Sequence, residues 1–227
     1  MCLDHPFSYD DKTTNAKKAL EDTHRWAEES VKVHPGNGRL LFGIMQGGFS
    51  EEQRIESSKY LSSLDFDGLA IGGLSLGEDK ESMISLTTAS LTYVPKNTPR
   101  YFMGLGTMPE LLELVAIGVD MFDCVIPTRL ARHGIAITRR GNLNMRNSLF
   151  MEDFAPIDQS CECQTCKCFS RAYLRHLYLA NELLVYSLLS VHNIYTLVRF
   201  MQDMRQSILD KSFAKFKEDF YVKLFDK

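Results

Sequence analysis

The sequence predicts an α/β fold built on a parallel sheet, and three observations lead there. Short, largely apolar runs at residues 40–46, 68–73, 101–104 and 119–125 are separated by segments of helical periodicity. Such runs mark strands covered on both faces. Run after run closes on a polar residue or a glycine: Asp4, Gln46, Gly72 with Gly73, Gly104 and Asp123. Barrel enzymes assemble their sites from residues at the C-terminal ends of successive strands, so signals recurring in phase point to a common site. No Gly-x-Gly-x-x-Gly follows an early run, which lowers a dinucleotide-binding reading. A (β/α)8 barrel and an open doubly wound sheet both fit this pattern.

The elements follow in order. Met1-Cys2-Leu3-Asp4 has the character of a strand end. Ala16, Ala19, Leu20, Thr23, Trp26, Ala27 and Val31 repeat at helical spacing, and Pro35-Gly36-Asn37-Gly38 stops that helix. The strand at 40–46 precedes a helix that Ser50 and Gln53 are expected to cap reciprocally. After the strand at 68–73, a helix runs through Met83, Leu86 and Leu91 to Pro95. The strand at 101–104 leads to a short helix capped by Thr107 and Glu110 and closed by Gly118. Residues 119–125 form the next strand. Residues 135–138 and 142–145 flank Arg139-Arg140-Gly141 as a hairpin. Two long apolar-periodic helices are expected at 171–184 and 192–208, and a polar, aromatic-spotted one at 214–224.

Composition narrows the function classes. With 44% hydrophobic and 24% charged residues, 227 residues suit one compact domain with a small appendage. A net charge of -3 gives no general avidity for nucleic acid. Yet residues 124–151 hold five arginines (Arg129, Arg132, Arg139, Arg140, Arg146) and no Asp or Glu, a strip that can hold phosphates or simply form a solvated hairpin. No apolar stretch is long enough to span a membrane, and no leader pattern opens the chain, so a cytoplasmic location is expected.

Four of the six cysteines fall within residues 161–168. In a reducing compartment such a cluster means metal rather than disulfides. Cys161, Cys163 and Cys166, with His192 after a helical stretch, offer a closed Cys3His shell for one structural zinc ion. Cys168 is the alternative fourth ligand, and His176 is a nearby imidazole read as an ordinary helix residue. Cys2 and Cys124 are read as plain thiols.

Asp123 lies in Met121-Phe122-Asp123-Cys124-Val125-Ile126-Pro127-Thr128-Arg129. A carboxylate closing an apolar strand is costly unless solvated, paired or used. It can attack an anomeric carbon as a nucleophile, or it can cap a helix or hold an ion pair.

At this point the residues carry a resemblance. Phe42-Gly-Ile-Met-Gln-Gly47, Gly72-Gly-Leu-Ser-Leu-Gly-Glu78, Tyr101-Phe-Met-Gly-Leu-Gly106, the Asp123 segment, the cysteine run, Ser170-Arg-Ala-Tyr-Leu-Arg-His176 and His192-Asn193 follow one another as in the tRNA-guanine transglycosylase family. The resemblance covers nearly the whole chain. It implies a (β/α)8 barrel and the exchange of guanine at the tRNA wobble position for a 7-substituted 7-deazaguanine. Asp123 matches the nucleophile that attacks ribose C1′, and two displacements at one carbon give net retention. Asp4 matches the carboxylate facing guanine N1-H and the amino group, while Gln46 and the backbone of Gly73 match the donors to O6. Leu74 and Glu78 match the segment facing the 7-substituent. Tyr101, Met103 and Gly104 match the pocket wall, and Arg129 and Arg132 match basic positions near bound RNA. The partners implied are tRNA, the incoming base and a second copy of the chain.

The chain also departs from that pattern. The family's Asp-Ser-Gly-Gly motif, which carries the general acid/base, is absent, so the chain is expected to hold about the last five of eight barrel strands. Exposed sheet edges and weak stability in isolation would follow. His5-Pro6 stands where bacterial members have Glu-Cys. Leu76 stands where eukaryotic members tend to have glycine, which leans toward 7-aminomethyl-7-deazaguanine over queuine, but His5-Pro6 alters the pocket rim, so both incoming bases stay open. The expected organisation is a partial barrel at 1–146, a zinc subdomain at 147–200 and C-terminal helices at 201–227. The rival readings are a catalytically incomplete fragment, a non-catalytic tRNA-binding subunit, and a zinc-stabilised structural domain.

Overall fold

A computed structural model describes residues 1–6 and 16–225. The chain divides into two compact units, Met1–Cys124 and Val125–Lys227.

The first unit alternates helix and strand: α1 (Ala16–Val33), β1 (Phe42–Met45), α2 (Glu51–Leu61), β2 (Gly68–Ile71), α3 (Lys80–Leu91), β3 (Arg100–Phe102), α4 (Met108–Ala116) and β4 (Met121–Phe122). The four strands form one parallel sheet in sequence order. Its register sets up everything that follows. Met45 pairs with Ile71, Ile71 with Phe102, and Phe102 with Phe122, so all four strands end at one level. The next residues, Gln46, Gly72, Met103 and Asp123, therefore leave the sheet side by side. Ile44, Met45, Leu69, Ile71 and Phe102 are buried among Leu61, Leu86, Leu91 and Leu114 of the helices. Each such side chain contributes about 1.5–3 kcal/mol on burial. Gly68 faces Phe42 across the ladder, where an added methyl would lie 2.3 Å from the ring.

Three differences from expectation, and one agreement, have local causes. Met1 to Asp4 forms no ladder; Cys2 N–H donates to Phe42 C=O at 3.0 Å and that rung stands alone, so the described residues hold four parallel strands rather than five. The last strand is Met121–Phe122 only, because the following apolar residues enter a helix, with Pro127 in its first turn. Thr107 and Glu110 do form their capping box, with Glu110 accepting from Thr107 N–H at 3.3 Å. Ser50 accepts from Gln53 N–H at 3.3 Å, but Gln53 Oε1 has no partner, so that box is half made.

The second unit comprises α5 (Ile126–Arg132), β5 (Ile135–Thr138), β6 (Gly141–Asn144), a 3-10 turn (Ser148–Phe150), α6 (Gln164–Cys168), α7 (Arg171–Leu179), α8 (Leu184–Leu209) and α9 (Phe213–Phe225). β5 and β6 pair antiparallel, and Thr138 opposite Gly141 leaves Arg139 and Arg140 as a two-residue loop. Helix α7 stops at Leu179 rather than 184, because Asn181 takes a left-handed conformation at φ 58°. Helix α8 consequently begins two turns ahead of His192. It packs against α5, α6, α7, α9 and β5, and buries Val185, Leu189, Phe200 and Met204. Buried Asn193 ties this unit together. Its Oδ1 accepts from Ile137 N–H at 2.8 Å, and its Nδ2 donates to the carbonyls of Pro127 at 2.9 Å and Ile135 at 3.0 Å. Among the described residues, no helix is long and apolar enough to cross a membrane.

Candidate active site and metal centre

The first cluster gathers at the ends of β1 and β2. Cys2 is tied to Phe42 and His5 N–H donates to Thr23 Oγ1 at 3.0 Å, so Asp4 is held from both sides. Gln46 Nε2 donates to Asp4 Oδ2 at 2.6 Å. Carboxylate and amide thus stand next to each other, and the amide nitrogen keeps a second hydrogen to give. Gln46 is 1% exposed, yet its Oε1 has no partner. A methyl on Gly72 would lie 2.7 Å from Gln46 Nε2, and one on Gly73 2.3 Å from Gln46 Oε1. The glycine pair therefore lets backbone approach the amide where a side chain would collide. Gly73 also has φ 68°, a conformation glycine adopts without strain.

Beyond Gly73 the chain makes a tight loop, with Ser75 at φ 64° and Gly77 at φ 129°. Glu78 closes it: its carboxylate accepts from Ser75 N–H and, at 2.9 Å, from Leu76 N–H. Leu74 is buried, and Leu76 is exposed.

Behind these residues lies Arg54 of α2, which nothing in the sequence singled out. It is fully buried. Its guanidinium donates to the carbonyls of Gly48 at 2.8 Å, Gly72 at 2.7 Å, Gly73 at 3.2 Å and Met45 at 3.5 Å. Burial pulls its pKa down to about 10 against the opposing pull of Glu78, so it stays charged at neutral pH.

The second cluster lies at the ends of β3 and β4. Asp123 is exposed, and its Oδ1 accepts from Tyr101 O–H at 2.5 Å and from Gly104 N–H at 2.9 Å. Gly104, at φ 81°, turns its N–H to meet the carboxylate. Met103, between them, is half-buried, its N–H held by Ile71 C=O at 3.2 Å. Burial, then the Asp123 hydrogen bond, push the Tyr101 hydroxyl up to about 12, so it remains a donor. Oδ1 is thereby anchored twice, while Oδ2 has no protein partner among the described residues. A carboxylate fixed through one oxygen and open at the other can attack an electrophilic carbon.

The second unit contains a candidate metal centre. The ligand atoms of Cys161, Cys163, Cys166 and His192 all lie within 4.8 Å of one another. His192 Nδ1 is 3.6 Å from Cys161 Sγ, 3.6 Å from Cys163 Sγ and 3.3 Å from Cys166 Sγ. A tetrahedral zinc shell has an S···N edge of about 3.6 Å, so the donor set fits such an ion. On the far side of the ring, Nε2 lies 2.9 Å from Ile137 C=O, which takes the proton there and leaves Nδ1 free to bind metal. Cys163 caps α6, accepting from Cys166 N–H at 3.3 Å. The Cys166 thiol hydrogen bond, which outweighs burial, and His192 pull the Cys163 thiol down to about 3. Cys168 is exposed, takes a hydrogen bond from Gln164 at 3.1 Å and stands outside the cluster, so His192 rather than Cys168 completes the group that could hold a metal ion. Arg129 and Arg132 are exposed near the end of α5.

The family model described as queuine tRNA-ribosyltransferase matches residues 1–226. A protein of that name from Natranaerobius thermophilus is 45% identical over 97% of this chain and 59% of its own length. One from Dehalococcoides mccartyi is 48% identical over 89% of the chain and 52% of its own length, and one from a Cyanothece strain is 46% identical over 94% and 56%. The chain thus spans somewhat more than half the length of these relatives. With its strand-end polar residues in register and its Cys3His cluster assembled, it belongs to the queuine tRNA-ribosyltransferase family.

Proposed function

We propose that this chain forms the part of a tRNA-guanine transglycosylase that carries the nucleophile, the purine-edge recognition site and a structural zinc. The observation that carries this reading is the common level at which Gln46, Gly72, Met103 and Asp123 leave the sheet. One sheet edge thereby offers a donor–acceptor pair matched to a purine and a carboxylate matched to the sugar that bears it.

In this reading Asp4 accepts from guanine N1-H and the amino group, while Gln46 Nε2 and Gly73 N–H donate to O6. An acceptor-only carboxylate faces donors, and amide hydrogens face a carbonyl. Met103 and Tyr101 line the pocket. Asp123 Oδ2 attacks ribose C1′ as the guanine N9–C1′ bond breaks; guanine leaves with the bonding pair and takes up a proton from solvent, and the RNA is held as a ribosyl ester of Asp123. An incoming 7-deazaguanine then gives its N9 proton to solvent and displaces the Asp123 carboxylate at the same carbon, and two inversions restore the original configuration. Tyr101 and Gly104 hold the opposite oxygen so that the attacking one keeps its aim. Leu74 and the loop closed by Glu78 border the 7-substituent, and exposed Leu76 favours the smaller 7-aminomethyl base over queuine. An unpaired anticodon-loop base leaves its stack at low cost.

The barrel geometry implied by the family enters here too, with β1 to β4 as consecutive strands of a (β/α)8 barrel. Zinc, held by Cys161, Cys163, Cys166 and His192, would fasten α6 to α8 and take no part in the exchange. Arg129 and Arg132 would meet the RNA backbone. Exposed Val191, Ile194 and Val198 of α8 support pairing with a second copy. A binding-only subunit would leave the doubly anchored Asp123 without use.

The test is incorporation of radiolabelled guanine into unmodified tRNA by a protein containing this chain. Incorporation confined to tRNAs with guanine at the wobble position supports the function. Free tRNA binding without incorporation favours the non-catalytic subunit instead.

A further inference from the structure

Arg54 makes no contact ion pair among the described residues, although it is wholly buried; Glu78 acts on it only through its field. Taking a cation out of water is costly, and an apolar side chain of like volume would join α2 to the sheet more cheaply. What the charge does here is bind backbone. Its fork spans the carbonyls of two successive residues, Gly72 at 2.7 Å and Gly73 at 3.2 Å, and reaches Gly48 on the other side.

The consequence lies across the peptide bond. In a planar trans peptide the Gly72 carbonyl and the Gly73 N–H point in opposite directions. Fixing the carbonyl toward Arg54 fixes the N–H away from it. Two adjacent glycines could otherwise rotate that peptide with little penalty, since neither has a side chain to restrict φ and ψ.

We infer that Arg54 is a positioning residue that locks the Gly72-Gly73 peptide so that Gly73 N–H is aimed at the 6-position of the bound purine. This inference rests on the proposed assignment of Asp4, Gln46 and Gly73 to the purine edge. It adds that the Gly73 share of 6-position selectivity is set by a side chain that never touches the base. The cation also lies behind the peptide that faces the purine, where it favours negative charge developing on the departing base.

The test uses three bases as probes with the unaltered chain and with Arg54→Lys. Guanine has both O6 and the 2-amino group. 6-Thioguanine exchanges O6 for a sulfur, a weak acceptor. Hypoxanthine keeps O6 and lacks the 2-amino group that Asp4 would read. Dissociation constants come from calorimetry. Gln46 Nε2 and Gly73 N–H both meet O6, so the unaltered chain should prefer guanine over 6-thioguanine by at least about tenfold, the worth of one hydrogen bond. Lysine, a single point charge, cannot fork across two carbonyls. In Arg54→Lys the guanine/6-thioguanine ratio should fall by about the share of one hydrogen bond, leaving the part owed to Gln46, while the guanine/hypoxanthine ratio stays as it was. A merely structural role would erode both ratios together, and that result overturns the inference, as does an unchanged 6-thioguanine ratio. If Arg54→Lys does not fold, as judged by circular dichroism, the same two ratios in Arg54→Gln decide the matter. An unaltered chain that fails to discriminate at position 6 removes the purine-edge assignment and this inference with it. Undiminished discrimination in the Arg54 variant removes the inference alone.

Discussion

The Tyr101 hydroxyl donates to Asp123 Oδ1 at 2.5 Å, across the β3–β4 pair, and the Gly104 N–H donates to the same oxygen at 2.9 Å. Both bonds orient a carboxylate that would otherwise rotate freely at an exposed strand end. A hydrogen bond to a charged group is worth about 1.5–3 kcal/mol. Tyr101→Phe should therefore slow formation of the tRNA adduct by at least about tenfold, with the affinity for free guanine little changed. Quench-flow measurement of adduct formation checks this; a wild-type rate in the variant would show that Tyr101 does not orient the nucleophile.

Removing one zinc ligand should unfold much more than a loop. Cys161, Cys163 and Cys166 come from the segment around α6, and His192 from the middle of α8, so an ion held by the four would join parts of the chain that otherwise meet through packing. Cys163→Ser should lower bound zinc to well below one per chain and reduce the helical circular dichroism of the second unit. Metal content by atomic emission and the dichroism spectrum would decide it, and full helicity in a zinc-free variant would count against a structural metal.

Asn193 offers a test of the second unit that does not involve metal. Its amide satisfies one backbone donor and two backbone acceptors in the interior. Asn193→Ala strands those groups and should cost about 3 kcal/mol or more. Urea unfolding followed by tyrosine fluorescence should show a lower midpoint at unchanged slope.

Stability should also fall in mild acid through His24. The ring stacks on Tyr60 at 4.3 Å between centroids and lies 3.2 Å from Ser57 Oγ. Burial pulls its pKa from 6.5 down to about 4. Above pH 6.5 neither folded nor unfolded chain protonates it, and the folded state has its full stability. Between pH 6.5 and 4 the unfolded chain takes up a proton that the folded chain refuses, so stability drops as pH falls. Allowing for the partial exposure of the ring, the loss is about 2 kcal/mol. His24→Gln should flatten the stability profile between pH 7 and 4.5; a profile identical to the parent would contradict the assignment.

Much of this architecture is legible in the residues themselves. The runs at 40–46, 68–73 and 101–104 became β1, β2 and β3 because largely apolar stretches between helices have nowhere to go but a covered sheet. The polar signals that close them came together because the strands end in register. The run at 119–125 misled, since Val125, Ile126 and Pro127 are as apolar as a strand and belong to the entry of α5. The start of α8 depended on Asn181 adopting a left-handed conformation, which a helical periodicity spanning the break conceals. Arg54 was invisible for a different reason. Its partners are backbone carbonyls, which every residue has, so no pattern of residue types announces them. The Cys3His cluster, by contrast, is written in side chains alone and assembled as expected.

The central claim is that Asp123 becomes covalently joined to tRNA during exchange. The most direct measurement is a denaturing gel of labelled tRNA incubated with a protein containing this chain, run beside Asp123→Asn. A slower-migrating protein–RNA band is expected with the parent protein, disappearing on addition of excess base, and no band with Asp123→Asn. An adduct of equal intensity in Asp123→Asn would contradict the claim.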